Sequence, residues 1–360
     1  MATHAGYGAQ TTATEVAAAF ADSVKGKNIV VTGISPASIG YTTVMALAGQ
    51  APASLVLASR TQAKLDAVAA DIRNAHPDVQ VHLVRLDLAD VASVRAAAAA
   101  VADTLDRVDV LINNAGISTP ERLAAKTPNG TEVDGQFLTN HLGVFLWTAL
   151  LLPLLRAAAA TSSEDNNGTA RIVNLTSQGH HLSPVRFSDY AFRRDVYDVP
   201  DDEKPRAQVP AFFLRTKDGY PGFLGYGQSK TANILHATEL ARRLQRSSHK
   251  GDARIAAFSV HPGTIETELS RSLDQEGQET IAKTAPHGLW KTQDQGAATT
   301  LVAALDPKLG AADVAGGATL GYLSDCQLRD DMVAAHAQGA DTAKRLWEET
   351  EKLLAFTVDL

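Results

Sequence analysis

Tyr226 and Lys230 stand four residues apart at the start of a stretch with helical periodicity, so their side chains share one helix face. A phenol beside an ammonium is a proton-exchange pair. With a reference pKa of about 10, the phenol needs help to exchange a proton near neutrality, and lowering it by ~3 units takes roughly 4 kcal/mol of differential stabilisation. The adjacent ammonium works in that direction. A bare Tyr-x-x-x-Lys spacing is commonplace on exposed helices. What raises this one is Ser177, directly after an apolar strand pattern, and Asn140 in a preceding helical stretch. A hydroxyl donor beside a tunable phenol suits proton transfer to and from an oxygen on which charge develops. His180 and His181 follow Ser177, but adjacent side chains diverge and no Cys or acidic residue stands at zinc spacing, so no metal is expected.

A second constellation sits nearer the N-terminus. An apolar run leads into Thr32-Gly33-Ile34-Ser35-Pro36-Ala37-Ser38-Ile39-Gly40, and a helical pattern follows. Glycine at a strand exit lets the backbone approach a pyrophosphate, and the helix N-terminus adds unpaired N–H groups and a favourable dipole. A tight turn needed only for packing would look the same. Where a ribose-reading acid would end the second strand, the sequence is Ala58-Ser59-Arg60-Thr61. No carboxylate repels a 2′-phosphate there and Arg60 can pair with it, which favours NADP(H) over NAD(H). The bland alternative for Arg60 is a solvated residue at a helix start.

Strand-like runs fall at Asn28–Thr32, Ser54–Ala58, Gln80–Leu86, Val108–Ile112, Arg171–Thr176, Arg254–Val260 and Ala318–Tyr322. Helical patterns lie between them at 39–49, 61–75, 91–105, 131–159, 226–246 and 293–304. Continuous apolar strands alternating with helices predict an α/β fold, a doubly wound parallel sheet of seven strands whose ligands sit at the strands' carboxyl ends. Residues 1–24 are expected to be an N-terminal extension with a short helix over 14–23, and residues 25–360 a single domain. Residues 178–225 lack periodicity and form a long insertion between Ser177 and Tyr226. That insertion holds eight of the 20 Phe, Tyr and Trp residues of the chain. Both its ends meet the site, so it is expected to wall an apolar substrate pocket, with a solvated middle around Arg193–Asp195 and Asp201–Glu203; packing on the outside of the domain or against a second subunit is the alternative.

Bulk properties exclude other classes. A net charge of −7 with scattered basic residues offers no stripe for nucleic acid. The single cysteine, Cys326, cannot build a disulfide framework and fits a reducing compartment. Asn174-Leu175-Thr176 spells a glycosylation acceptor inside a strand pattern and is read as chance. The most apolar run, 142–155, falls short of the ~20 residues of a bilayer span. Residues 1–14 have neither a basic start nor an apolar stretch. No membrane anchor is therefore expected and the cytosol is the default, with a second copy of the chain as a compatible partner.

The motifs together carry a resemblance. Thr32-Gly33 with Ile39-Gly40, Leu86-Asp87-Leu88, Asn113-Asn114-Ala115-Gly116, Asn140, Ser177, Tyr226-x-x-x-Lys230 and Pro262-Gly263 resemble, in that order, the short-chain dehydrogenase/reductase family with its Rossmann-type sheet, from about Lys27 to Cys326. Asn140-His141-Leu142-Gly143, Arg171-Ile172-Val173-Asn174 and Tyr322-Leu323-Ser324-Asp325-Cys326 look like its branch of retinol dehydrogenases and WW-domain oxidoreductases, fungal members especially, without a WW domain. Some relatives carry an N-terminal anchor, and none is read here. The glycine turn departs from the family's pattern by one extra residue, with Ser38 in place of the middle glycine; its hydroxyl could serve a phosphate or strain the turn.

The resemblance implies NADP(H) as cofactor, held by Gly33, Ser35, Ser38, Ile39 and Arg60. Asp87 and Leu88 would contact the adenine, Asn113, Ala115 and Gly116 would line the ribose side, and Pro262, Gly263, Thr264, Ile265 and Thr267 would hold the nicotinamide carboxamide. For Asp87 and Asn113 purely structural roles are the alternative. It further implies interconversion of a ketone or aldehyde with an alcohol. Tyr226 is then the general acid or base, Ser177 the donor to the carbonyl oxygen, Lys230 the ribose ligand that tunes Tyr226, and Asn140 the holder of a water linking Lys230 to solvent. A catalytically silent NADP(H)-binding sensor or scaffold and an extended-type epimerase or dehydratase are the rival readings. Intact Ser177, Tyr226 and Lys230 oppose the first; the glycine spacing and the lack of a large C-terminal lobe oppose the second.

Overall fold

The computed structural model describes residues 4–161, 170–249, 251–265, 275–284, 290–311 and 320–360. Strands β1 (Asn28–Thr32), β2 (Ser54–Ser59), β3 (Gln80–Arg85), β4 (Val110–Asn113), β5 (Ala170–Leu175), β6 (Ile255–His261), β7 (Tyr322–Ser324) and β8 (Gln327–Leu328) form one sheet. Its order is β8-β7-β6-β5-β4-β1-β2-β3. Among the described residues seven strands of this sheet are parallel, and the two-residue edge strand β8 runs antiparallel, to β7. The seven-stranded doubly wound sheet is therefore present, with one extra edge strand. β7 starts at Tyr322 rather than near 318; residues 312–319 lie outside those described.

Burial explains the continuous apolar spelling of the central strands. Every residue of β5 and β6 is buried, because helices cover both faces. On one face lie α1 (Ala13–Ala19), α2 (Ile39–Ala48) and α3 (Gln62–Ala75); on the other lie α4 (Val91–Thr104), α5 (Gly143–Thr161) and α6 (Gly222–Arg246). Then follow α7 (Gln275–Thr284), α8 (Gln293–Leu305), which packs on α1 and α2, and α9 (Ala340–Leu354), which packs on α6.

One expectation about the length of an element changes. In the N-terminal segment the short helix expected over 14–23 forms as α1, followed by a further turn at Ala21–Val24; Thr12 and Glu15 close a capping box on α1, and Ala13, Val16, Ala17, Phe20 and Val24 enter the main core. The apolar run around 142–155 belongs to a longer helical stretch, Gly135–Ala160, which by length and composition could cross a membrane. In this fold 67% of its most apolar window is buried, including Trp147, Leu151 and Leu155. The stretch starts at Gly135 rather than 131 because Glu132–Asp134 pair with Ala124–Lys126 as an antiparallel ribbon.

The insertion 178–225 folds around its own small cluster of Leu182, Phe192, Phe212, Phe213, Tyr220 and Leu224. Buried Arg186 pairs with Asp189 at 2.6 Å and lies over the Phe192 ring. Its middle is exposed at Arg193, Arg194, Asp201 and Asp202, but Glu203 is buried, accepting from Ser188 N (3.0 Å) and Ser188 Oγ (2.5 Å).

Candidate active site

The carboxyl ends of β1, β4, β5 and β6 meet the amino end of α6, and the chemistry-bearing residues collect there. Helix α6 presents Tyr226 and Lys230 one turn apart. Ser177 leaves β5 in an extended conformation and caps the 3-10 turn Gln178–His181, its Oγ accepting from Gly179 N at 3.1 Å. That turn packs directly on the tyrosine: a Cβ on Gly179 would lie 2.9 Å from Tyr226 Cε1. His180 fixes the turn from behind. It is fully buried, its Nδ1 lies 2.7 Å from the Ser177 carbonyl oxygen, and its Nε2 accepts from Ala334 N. Nδ1 is therefore the protonated nitrogen, and both sit in hydrogen bonds.

The electrostatics differ from the expectation at Tyr226. Burial pushes its phenol above the ordinary value, and the nearby Ser177 hydroxyl pulls partway back. Lys230 Nζ lies 5.5 Å from the Tyr226 ring centroid and donates to the Leu175 carbonyl at 3.1 Å. Burial also pulls the Lys230 ammonium down, to about 8. Two low-dielectric neighbours thus each resist carrying charge, and a bound molecule that favours phenolate or ammonium would shift them most.

Asn140 lies in a single π-helical turn, Leu138–Leu142, ahead of α5, a local irregularity frequent at functional sites. Its side chain is directly occupied: Oδ1 accepts from Ile117 N at 2.8 Å, and Nδ2 donates to Ile117 O and to Ser229 Oγ, each at 2.9 Å. Asn140 thereby ties the loop after β4 to α6 one residue from Lys230.

Two cavities open on this centre. The first, about 250 Å³, runs along the crevice between β1 and β4, where the strand order reverses. Of the residues read from the sequence, Gly33, Ser35, Ser38, Ile39, Arg60, Leu88, Ala115, Gly116, Tyr226, Lys230 and Pro262 line it, together with Thr32, Lys64 and Asn114. The glycine turn is not strained at Ser38. That residue is extended and caps α2, accepting from Tyr41 N (3.1 Å) and donating to Ser35 O (2.6 Å); the preceding residue, Ala37, takes the left-handed conformation instead (φ 55°). At Gly33 (φ +77°) a Cβ would sit 2.6 Å from Ala115 Cα. The bare backbone is what lets β1 and β4 close up, with Thr32 Oγ1 accepting from Ala115 N at 3.0 Å.

Asn113 and Asp87 do not reach this crevice. Asn113 is buried inside the sheet, donating to Asn174 Oδ1 (2.7 Å) and Thr148 Oγ1 (2.9 Å), while Asn114 lines the wall and donates to Thr32 O at 2.8 Å. Neighbouring strand residues face opposite sides, so an Asn-Asn pair signals one structural and one site-facing amide without saying which. Asp87 accepts from Ala89 N in its own turn, and Leu88 carries the wall. Thr267 lies outside the described residues.

The second cavity, about 590 Å³, lies on the other side of Tyr226. Ser177, Gly179, Leu182, Val209, Phe212, Phe213, Phe223, Ile281 and Trp290 give it a mainly apolar wall, and Gly263, Thr264 and Ile265 join it rather than the crevice. Of the eight insertion aromatics only Phe212, Phe213 and Phe223 reach it; Tyr190 instead stacks on Phe137 in the main core, and Tyr197 is exposed. His261, at the end of β6, lines the same cavity and carries no motif that would single it out.

Comparison with known proteins agrees with this fold. The short chain dehydrogenase family profile matches residues 27–191. Human retinol dehydrogenase 13 is 32% identical over 338 residues, covering 92% of this chain and 86% of its own. The oxidoreductase fscI of Fusarium equiseti is 34% identical, covering 70% and 93%. Among solved structures, the RhlG/NADP active-site complex of Pseudomonas aeruginosa superposes with a TM-score of 0.55 at 21% identity, covering 84% of this chain and 95% of that one. That last likeness is one of fold. The long identities to curated relatives go further, and the chain belongs to the short-chain dehydrogenase/reductase family, in its retinol-dehydrogenase-like branch.

Proposed function

We propose that this protein is an NADP(H)-dependent oxidoreductase that interconverts a bulky apolar ketone or aldehyde with its alcohol, using Tyr226 as proton donor and acceptor. The coarser reading, exchange between CH–OH and C=O with a nicotinamide cofactor, follows from the family. One observation carries the finer one: Tyr226 forms part of the wall of both cavities, so a dinucleotide on one side and an apolar carbonyl on the other would meet at its hydroxyl.

The residues of the crevice fit the dinucleotide. The bare Gly33 backbone and the capped N-terminus of α2 suit a pyrophosphate. Among the described residues lining the crevice none is acidic, whereas Arg60, Lys64 and Lys230 are cationic. When bound, the reduced nicotinamide supplies a hydride. In the reductive direction Ser177 donates to the carbonyl oxygen as charge develops and Tyr226 delivers the proton, with Lys230 and Asn140 holding the floor beneath. The intact trio again speaks against a silent sensor.

Arg60 at the crevice rim should set the cofactor preference. NADPH is expected to bind about tenfold or more tightly than NADH, a difference of ~1.4 kcal/mol. Arg60→Ala should erase most of that gap in fluorescence titrations; an unchanged ratio removes Arg60 as the discriminator. A pH dependence follows from Lys230. A phosphate-bearing ligand favours the protonated amine, so affinity should be fullest below about 8 and fall as pH rises through that value. Lys230→Met should bind more weakly and lose this fall; a falling limb that survives the substitution assigns it to another group. The overall reading is tested by kcat/KM across a carbonyl panel, where bulky apolar ketones and aldehydes should exceed small hydrophilic ones. The reverse order overturns the substrate class.

A further inference from the structure

His261 closes β6 at the cavity wall. Thr176 N donates to Val260 O at 2.8 Å, so His261 stands beside the strand end that delivers Ser177. It is 2% exposed, yet neither ring nitrogen has a hydrogen-bond partner. The sheet register pairs His261 with Ser324 and Ser259 with Tyr322, alternate positions on one face of two adjacent parallel strands. The Ser259, Tyr322 and Ser324 hydroxyls are likewise buried without partners. Leaving a buried polar atom unpaired is costly, and a contiguous group of them in a native fold calls for an explanation. His180, the neighbouring buried histidine, is fully satisfied, so proximity to the site does not by itself orphan an imidazole here. Of the four orphaned residues only His261 reaches the large cavity, which is otherwise mainly apolar.

We propose that His261 is a substrate-recognition residue that hydrogen-bonds a second, neutral oxygen function, a hydroxyl or carbonyl distinct from the reacting one, on a bulky apolar substrate. The charges around it fit a neutral partner. The cation facing it, Lys291, is ion-paired with Asp325, and His181 is the other titratable neighbour. Burial, reinforced by Lys291, pulls the imidazole down to about 4, so near neutrality it offers one donor and one acceptor rather than a charge. A carboxylate would gain little from such a group, whereas a hydroxyl can use both nitrogen roles. Ser324, paired in register with His261, extends the polar surface behind it. The substrate class becomes hydroxyketones, diketones and their aldehyde counterparts on an apolar skeleton.

The inference rests on the carbonyl-oxidoreductase reading above, and a matched substrate pair separates the two. One ketone carries a second oxygen function remote from the reacting carbonyl; its deoxy counterpart is otherwise identical. Wild type should favour the oxygenated ketone by about tenfold or more in kcat/KM, the scale of one buried hydrogen bond. His261→Leu should abolish that preference by costing the oxygenated ketone about tenfold more than the deoxy one, and His261→Asn should restore part of it. Should the leucine variant fail to fold, the His261 15N resonances of the wild-type protein decide. They should move on adding the oxygenated ketone with oxidised cofactor and stay put with the deoxy ketone. Equal rates on both ketones, equal losses in the variant, or unmoved resonances overturn the inference and mean that water alone satisfies His261. Failure to reduce either ketone overturns the oxidoreductase reading itself.

Discussion

Tyr226→Phe is expected to lower kcat by about a thousandfold, within the range that a positioned acid–base group contributes. The substitution deletes one oxygen. The remaining ring still fills the space against Gly179 and stays near Lys230 Nζ, so the packing that positions α6 survives. Losing the phenol's interaction with the Ser177 hydroxyl should cost at most ~1 kcal/mol of stability. Cofactor affinity should stay within about threefold, because the crevice keeps every other wall residue. Steady-state rates, thermal unfolding and cofactor titration read the three quantities separately. Substantial turnover by the phenylalanine variant would sink the assignment, and a collapse of cofactor binding alongside would make Tyr226 chiefly a structural residue.

Gly33→Val should be the most damaging single change in the crevice. A side chain at φ +77° is strained by roughly 1–2 kcal/mol before any contact is counted. The first added carbon would then lie 2.6 Å from Ala115 Cα and 2.8 Å from Ala115 N, both backbone atoms that cannot swing aside. Either β1 and β4 separate, breaking the Thr32–Ala115 hydrogen bond, or the turn rotates away from the cofactor. Both routes should weaken cofactor binding by about a hundredfold or more and lower Tm by several degrees. Wild-type affinity and Tm in this variant would show that the close approach is dispensable. Gly33→Ala should be intermediate, since it adds the clash without the branch.

Much of this architecture was readable from residue order because parallel strands covered on both faces spell apolar runs, as Ile29–Val31 of β1, Leu55–Ala58 of β2 and Val110–Ile112 of β4 do, whereas the edge strand β3 exposes Gln80 and Arg85. The eighth strand was not, since Gln327–Leu328 owes its pairing to a turn through Asp325 and Cys326, both at positive φ. Helix α9 was legible in principle: Ala343, Leu346, Trp347, Thr350, Leu353 and Leu354 keep helical spacing on its buried face. It follows no βα alternation, which is how the other helices announce themselves. The insertion has no period to read because its order is tertiary. Tyr220 donates to Asp134 at 2.7 Å, and burial lifts that carboxyl to about 6, a pairing across 86 residues that local pattern cannot show. Within the site, spacing placed Ser177, Tyr226 and Lys230 together. It could not tell Asn113 from Asn114, nor reveal that the Asn140 amide is consumed by Ile117 and Ser229. His261 stayed silent because what distinguishes it is the absence of partners.

Tyr226 is proposed to hand a proton to a carbonyl oxygen in the large apolar cavity while NADPH is consumed in the crevice beside it. The most direct measurement mixes the purified protein with NADPH and a bulky apolar ketone or aldehyde and follows both NADPH and product. One alcohol formed per NADPH lost in the wild-type protein, and neither change with Tyr226→Phe at matched cofactor occupancy, is the predicted result. NADPH bound but not consumed by the wild-type protein across bulky ketones and aldehydes, or alcohol formed equally well by the phenylalanine variant, would contradict it.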